Sequence, residues 1–392
     1  MKILMILESE FPPDVRVENE ILALTAAGHE VHLACSTKKN RPESEKFGKA
    51  FIHRKKISEF IYKSSVGSLK FPFYFNFWRN FLFPLCSIEG FDAVHISDLP
   101  LSRIGKEIKE KFNTCLIIDL HENWPALIKT AAHTRTIAGR LLSSNRQWVE
   151  YEKRMLLEAD KVITVIEEAR DRIINLGIDP EKICIVSNTI NYDGLNIKSG
   201  IKDPDVFTIF YGGAINKHRG LQIVLEAVKK CVVKGLKIRF WIVGDGSYRK
   251  NLEKLSKSLE IEPNVKFWGH KPFLEMLEIL GESNAAIIPH VRNDNNDASS
   301  PNKLYQYMYL NKPIISSDCT SLKRIIDQTH TGFIYKNDSA DDLTLLLEKL
   351  SVDRNILDEL DGNGRTAVIE KYNWNIDKKR LLEAYRELTT YS

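Results

Sequence analysis

The stretch Ser299-Ser300-Pro301-Asn302-Lys303-Leu304-Tyr305-Gln306-Tyr307-Met308, with Asn311-Lys312-Pro313-Ile314-Ile315-Ser316 just after it, sets a short helix directly before a short apolar strand. Serine before proline is the sequence form of a helix start. Ser300 is expected as the N-cap and Pro301 at the first helical position, where its missing N–H costs nothing. Lys312-Pro313 closes the helix, and Ile314-Ile315 starts the strand. The free amides of the first turn and the positive end of the helix dipole form an anion site, to which Lys303 adds a full charge.

The same alternation extends through the rest of the chain. Apolar runs at residues 207–211, 238–243, 265–268, 285–288 and 314–316 read as strands with helices between them. Earlier, a strand at 3–7 is followed by a helix from about 17 to 27, the turn Gly28-His29-Glu30 and a strand at 31–35. Further strands fall at 93–96, 116–120 and 162–165. A polar break rich in Asn, Asp and Gly spans 188–205. The fold class is therefore α/β, with two doubly wound parallel-sheet domains, and ligands are expected beyond the carboxyl ends of the strands, in a cleft between the halves.

Composition narrows the function. The chain has 392 residues, 43% hydrophobic and 28% charged, which is too long for one ordinary core, and its net charge of +4 implies no nucleic-acid partner. The 6 cysteines are scattered, without C-x-x-C pairs or ligand-spaced histidines, and read as reduced thiols of a cytoplasmic protein. Ile3 to Leu7 is too short for a signal-peptide core or a spanning helix. The turn Leu7-Glu8-Ser9-Glu10-Phe11-Pro12-Pro13 contains no G-x-G-x-x-G, which disfavours a dinucleotide-dependent dehydrogenase. Asp203-Pro204-Asp205 lies in the polar break and reads as a turn, so no required metal is expected.

Several segments, in order, carry a resemblance. They are Phe11-Pro12-Pro13-Asp14-Val15-Arg16-Val17, Gly28-His29-Glu30-Val31, Asp119-Leu120-His121-Glu122, Tyr211-Gly212-Gly213 with Arg219-Gly220, Val243-Gly244-Asp245-Gly246, and the Pro301-Asn302-Lys303 helix. Along nearly its whole length the chain resembles the retaining, nucleotide-sugar-dependent glycosyltransferases of the GT-B architecture, family 4. The resemblance implies two facing Rossmann-like domains: an acceptor-binding domain over 1–190, a nucleotide-sugar-binding domain over 205–370, and a helix over 371–392 crossing back to the first. It also implies retention of configuration, with the departing phosphate acting as base in a front-face attack.

The site residues follow from that resemblance together with their chemistry. Departure of a diphosphate builds negative charge, so Arg219 and Lys303 are expected to stabilise it. Gly212 and Gly213 let the backbone approach the phosphates. Gly244, Gly246, His270, Lys271, Asn302, Leu304 and Gln306 complete the donor set, with the loop Gly269-His270-Lys271-Pro272 expected at the base. His121 is expected to meet the transferred sugar through its ring or its backbone, or else to be a buried histidine bonded to a carbonyl. Glu122 either positions the acceptor or caps a turn. Asp14 and Arg16 are placed on the loop after the first strand, with Arg16 closing over the diphosphate or binding an anionic acceptor.

Three positions depart from the family pattern. Gln306 stands where a glutamate usually accepts from the donor ribose, Ala298 lies where its partner acid would be, and Ala214 replaces a frequent arginine. A neutral acceptor bonds more weakly than a carboxylate. Lys217, His218 and Arg219 are left to hold the diphosphate. The aromatic run Phe71-Pro72-Phe73-Tyr74-Phe75-Asn76-Phe77-Trp78-Arg79-Asn80-Phe81-Leu82-Phe83, with His53-Arg54-Lys55-Lys56 and Lys63 upstream, is either a helix packed on the first sheet or a peripheral membrane contact serving a lipid-linked acceptor. The expected function is sugar transfer from a nucleotide-sugar co-substrate to a glycan acceptor in envelope or surface polysaccharide assembly, with no cofactor required. The rivals are a sugar-nucleotide epimerase or hydrolase of the same shape, and a catalytically silent nucleotide-binding scaffold.

Overall fold

A computed structural model describes the chain apart from residues 131–133, 135, 196, 198–199 and 391–392. Met1–Ser187 with Asp377–Ser392 forms one compact unit, and Asn188–Ile376 forms another.

The first unit holds an 8-stranded sheet of β1 (Lys2–Leu7), β2 (Glu30–Thr37), β3 (Ser44–Phe47), β4 (Ala50–Lys56), β5 (Ala93–Ser97), β6 (Cys115–Leu120), β7 (Lys161–Thr164) and β8 (Ile183–Ile185). Their order is β3-β4-β2-β1-β5-β6-β7-β8, and only the β3–β4 pair is antiparallel. Ile3, Leu4, Met5 and Ile6 are wholly buried, as expected of a central parallel strand covered by helices on both faces. The order in which strands are added reverses between the parallel neighbours β1 and β5, and the register pairs Leu7 with Ser97 and Ser97 with Asp119. The residues just after these positions therefore share one carboxyl edge.

The second unit repeats the plan with a 6-stranded sheet: β9 (Phe207–Gly212), β10 (Ile238–Val243), β11 (Val265–Gly269), β12 (Ala285–Ile288), β13 (Ile314–Ser317) and β14 (Gly332–Tyr335), in the order β11-β10-β9-β12-β13-β14. Its pairs are parallel, and its switch point lies between β9 and β12. Its core packs Phe207, Tyr211 and Phe240 against Leu225, Ile287 and Leu343.

Strands β3, β4, β8 and β14 were not expected from the sequence. In β4 the pattern Ala-Phe-Ile-His-Arg-Lys-Lys hides its alternation because Arg54 points inward: it is 2% exposed and donates to Phe11 O and to Glu45. The expected surface cation is thus a strand residue tying down the loop after β1. The aromatic run falls in helix Phe73–Glu89, with Tyr74, Trp78, Leu82 and Cys86 buried at a spacing of one helical face, so one face of it is core. Phe71 and Phe73 stay 47% exposed beside Phe60.

Helix Trp374–Thr390 returns the chain to the first unit, where the Tyr385 hydroxyl lies 2.8 Å from His95 Nδ1. The last two residues of the helix expected over 371–392 lie outside the described residues, as do parts of the polar break. Asp203 in that break pairs with Arg239 at 2.9 Å and accepts from the Asp205 amide at 3.0 Å, the geometry of a turn.

Candidate functional site

Strand β9 ends in Gly212-Gly213 and β12 is followed by Pro289-His290, so the second sheet's switch point brings these two loops together. Gly213 has φ 138°, and a Cβ on it would lie 2.9 Å from Lys303 Nζ. Only glycine gives both this conformation and the room for the amine. Lys303 Nζ also lies 5.0 Å from the centroid of the Tyr211 ring, whose hydroxyl donates to Ala214 O at 2.8 Å.

Arg219 closes the turn Lys217–Arg219. The next residue, Gly220, has φ 75°, and a Cβ there would stand 1.8 Å from Pro289 O, so the turn is locked against the strand end by the absence of a side chain. Arg219 Nη1 lies 3.0 Å from His290 Nε2, while Arg219 Nε and His290 Nδ1 are buried without hydrogen-bond partners among the described residues. An arginine can only donate, so His290 accepts at Nε2 and carries its proton on Nδ1. Burial, reinforced by Arg219 and Lys303, holds His290 well below the usual histidine range. Burial and then the Arg219 charge push Lys303 down to about 7, and the same influences with Lys303 lower His218. Among the described residues neither Arg219 nor Lys303 has an acid partner. The cluster sets Arg219 and Lys303 beside two histidines whose protonation their charges oppose.

The helix Asn302–Tyr309 corrects one expectation. Pro301, with ψ 140°, is the N-cap and no side chain caps the first turn, because the Ser300 hydroxyl is taken by the Tyr305 hydroxyl at 2.7 Å. The first-turn amides are thereby left uncapped by any side chain, next to Lys303. Asn302 is exposed on that turn. Leu304 is a second correction: its side chain is wholly buried and its amide bonds Pro301 O, so it packs the core rather than facing a ligand. Gln306 is half-buried and makes no side-chain hydrogen bond among the described residues. Ala298 is buried at the foot of the preceding loop, where Asp297 instead accepts from Arg292 and the Thr320 amide. Gly244 and Gly246 leave space for Gly213 O and Ile215 O, 2.0 and 2.3 Å from where a Cβ would stand, so they seat the Gly213 loop. His270 is exposed, and Lys271 pairs with Glu275 at 2.6 Å.

In the first unit, Asp119 at the carboxyl end of β6 is wholly buried and organises the group around His121. Arg16 Nε and Nη2 reach its two oxygens at 2.8 and 2.7 Å, and His121 Nε2 lies 2.9 Å from Oδ2. Arg16 is therefore no mobile loop arginine. It lies in the first turn of helix Val15–Ala26, is 8% exposed, and also holds Val186 O at 2.8 Å, so it neither closes over a diphosphate nor meets an anionic acceptor. Asp14 is the N-cap of that helix, accepting from the Val17 amide at 3.1 Å. Glu20, His95 and Asp119 lie close enough together to hold a metal ion, but the Arg16 guanidinium already supplies the cation there. Burial alone would lower the His121 pKa, but attraction to Asp119 and the hydrogen bond outweigh it and raise the ring to about 9. His121 is an imidazolium at neutral pH, a donor and not a base. Glu122 follows it on the same edge, half-buried.

Residues 14–193 match the family described as Glycosyltransferase Family 4, and residues 195–367 match the one described as Glycosyl transferases group 1. The chain is built from these two glycosyltransferase domains. It is 21% identical over 257 residues to the putative colanic acid biosynthesis glycosyltransferase WcaL of Salmonella typhimurium, a match covering 65% of this chain and 63% of that protein. The chain thus spans less than two thirds of the length of that relative. Among solved structures, sucrose-phosphate synthase from Thermosynechococcus elongatus superposes with TM-score 0.79 at 16% identity, covering 100% of both chains. HepE from Anabaena in complex with UDP superposes with TM-score 0.68 at 13% identity, covering 99% of this chain and 100% of the other. These likenesses establish the shared GT-B fold.

The sequence reading missed His290, although its place directly after a β-strand in the switch-point half could have marked it. It also missed Asp119 as the hub of the His121 group, because its partner Arg16 is 103 residues away.

The Lys303 environment gives a signed pH dependence. An anion held there restores the charged amine, so its pKa in the complex rises above the free value of about 7. The part of the affinity due to that charge is complete below pH 7 and falls as pH rises toward the pKa of the complex, by at most about tenfold per unit. Calorimetric titration of a nucleoside diphosphate between pH 6 and 9 is expected to show this decline with net proton uptake. Lys303→Arg should abolish both, since arginine stays charged.

Proposed function

We propose that the protein is a retaining, metal-independent glycosyltransferase that moves a sugar from a nucleotide-sugar donor to a lipid-linked glycan acceptor in polysaccharide assembly. The observation that carries this reading is the pair Arg219 and Lys303, two cations set beside the Gly213 turn and an uncapped helix start, with no acid partner among the described residues. Such a group matches the charge that develops on a departing diphosphate, and its preorganised donors lower the barrier to leaving. Support also comes from the relative named for colanic acid biosynthesis and the structural neighbour that holds UDP. The second unit takes the donor, with Asn302, Gln306, His270 and Lys271 around nucleoside and base, and the first takes the acceptor. His121, charged and fixed by Asp119, donates to an oxygen of the transferred sugar. The departing phosphate serves as base for the incoming hydroxyl.

The test is turnover of UDP-, GDP- and ADP-sugars with extracted lipid-linked acceptors, the product's anomeric configuration being read by proton NMR. Transfer with the donor's configuration kept, undiminished by EDTA, is expected. An inverted product would remove retention, loss with EDTA would remove metal independence, and donor consumption without acceptor would make the protein a hydrolase.

Among the described residues no helix is long and apolar enough to cross a membrane. We place the protein at the cytoplasmic face, held by an exposed patch in which the Phe73 ring lies 5.8 Å from Phe60 and 6.3 Å from Phe71. Changing Phe60 and Phe73 together to serine is expected to cut sedimentation with vesicles rich in anionic lipid on the order of tenfold. Equal sedimentation of both forms would remove the patch from that role.

A further inference from the structure

A cavity of about 270 Å³ opens at the switch point of the first sheet, where Glu8 follows β1, Pro100 comes after β5 and Trp124 after β6. Its walls are aromatic, with Tyr62, Tyr74, Trp124 and Trp148 among them and the two indoles 5.8 Å apart. We infer that this cavity seats one uncharged pyranose ring of the acceptor, gripped by Glu8, Tyr74 and Trp124. This rests on the glycosyl-transfer reading above and names what the first unit recognises.

Three observations choose that ligand over others. Trp124 Nε1 is buried with no hydrogen-bond partner among the described residues, and the Tyr74 hydroxyl, on a ring only 1% exposed, faces the Glu8 carboxyl. A lipid chain would leave the Trp124 N–H unpaired in an apolar place and the Glu8 carboxyl with the Tyr74 hydroxyl as its only hydrogen-bonding neighbour among the described residues, which is costly, whereas ring hydroxyls satisfy both. Among the described residues the cavity is lined by one acid, Glu8, and by no lysine, arginine or histidine, and burial pushes the Glu8 carboxyl up, a lining that suits an uncharged ring better than an acidic one. The volume lies just below the usual range of about 300–1,000 Å³ for small-molecule sites, which suits one ring and not an oligosaccharide. A pyranose presents apolar C–H faces to flanking indole and phenol rings and hydroxyls at its rim, and this lining offers the same two features.

The test titrates the intact protein with methyl glycosides of glucose, galactose, mannose, rhamnose and N-acetylglucosamine, and with farnesyl phosphate, by saturation-transfer NMR and tryptophan fluorescence. UDP and GDP binding are measured on the same samples. Saturable binding of at least one glycoside is expected. Glu8→Leu should weaken it about tenfold and Trp124→Phe, which keeps the ring but removes its donor, about threefold. Both variants should bind nucleotide as the wild type does, which shows them folded. If no glycoside binds while nucleotide binding and transfer persist, the cavity assignment falls and the transferase reading stands. Farnesyl phosphate binding that Glu8→Leu strengthens would also overturn it. If neither nucleotide nor glycoside binds, the transferase reading itself fails.

Discussion

Lys303→Ala is expected to weaken binding of the donor's nucleoside diphosphate about ten- to a hundredfold at pH 7, the loss of one charge-assisted hydrogen bond of about 1.5–3 kcal/mol. The fold should not suffer. In the free protein this amine sits against Gly213 and beside Arg219 with its charged form disfavoured, so removing it relieves a cost. The sign follows from linkage: because the folded pKa of about 7 lies below the ordinary lysine value, the unfolded chain binds more protons between the two, and Lys303 destabilises the fold as pH drops through that window. The variant's melting temperature at pH 6 should therefore equal or exceed that of the wild type. The losses in Arg219→Ala and Lys303→Ala should not add in the double variant, since Arg219→Ala also frees Lys303 from its main repelling neighbour. Isothermal calorimetry on the two single variants and the double variant measures this coupling. Unchanged affinity in both singles would remove the phosphate assignment.

Asp119→Ala should be the most destabilising single change. It leaves Arg16 buried without its two carboxylate bonds, a loss of about 3–5 kcal/mol for a broken buried pair. That is a large part of an ordinary total stability of about 5–15 kcal/mol, and it should lower Tm on the order of 10 °C. Adding Arg16→Met should recover part of the loss, because the buried charge, then left with Glu20 at 3.1 Å as its near acid, goes with it. Two pH limits belong to the same group. Arg16 and His121 hold the Asp119 carboxyl well below the usual range against the opposing effect of burial, so its stabilisation is present above about pH 4 and lost only in strong acid. His121, raised to about 9, stabilises fully below about pH 6.5 and loses that contribution as pH climbs through 9. Because Lys303 contributes with the opposite sign over the same range, the reading is the stability difference between wild type and His121→Asn, and a difference that stays flat between pH 6.5 and 9.5 would contradict the His121–Asp119 pairing.

The legible parts of the fold were those written in short-range pattern. Ile3-Leu4-Met5-Ile6 and Phe207 to Tyr211 announce themselves because parallel strands buried on both faces are continuously apolar. β4 escaped because Arg54 and His53 interrupt that pattern, and Arg54 is buried only by virtue of the Phe11 and Glu45 groups it meets. At the candidate site, the turn at Gly213 and the helix that carries Lys303 were legible because glycine turns and a Pro-initiated helix have sequence forms, while Arg219 was named from the resemblance. Arg16 was misplaced for the opposite reason. Its charge suggests a ligand, and only the distant Asp119 reveals that the charge is already satisfied inside the fold. Leu304 was named with its helix neighbours, and helical periodicity alone turns it inward.

The most direct measurement is a thermal-shift panel of UDP, GDP, ADP and CMP on the wild-type protein at pH 6.5, where Lys303 is charged. A ligand present at about a hundred times its dissociation constant adds roughly 2.7 kcal/mol, a visible shift. At least one nucleoside diphosphate should raise the melting temperature, and CMP, with a single phosphate, should not. Equal shifts with all four, or none with any, would contradict a diphosphate site built from Gly213, Arg219 and Lys303.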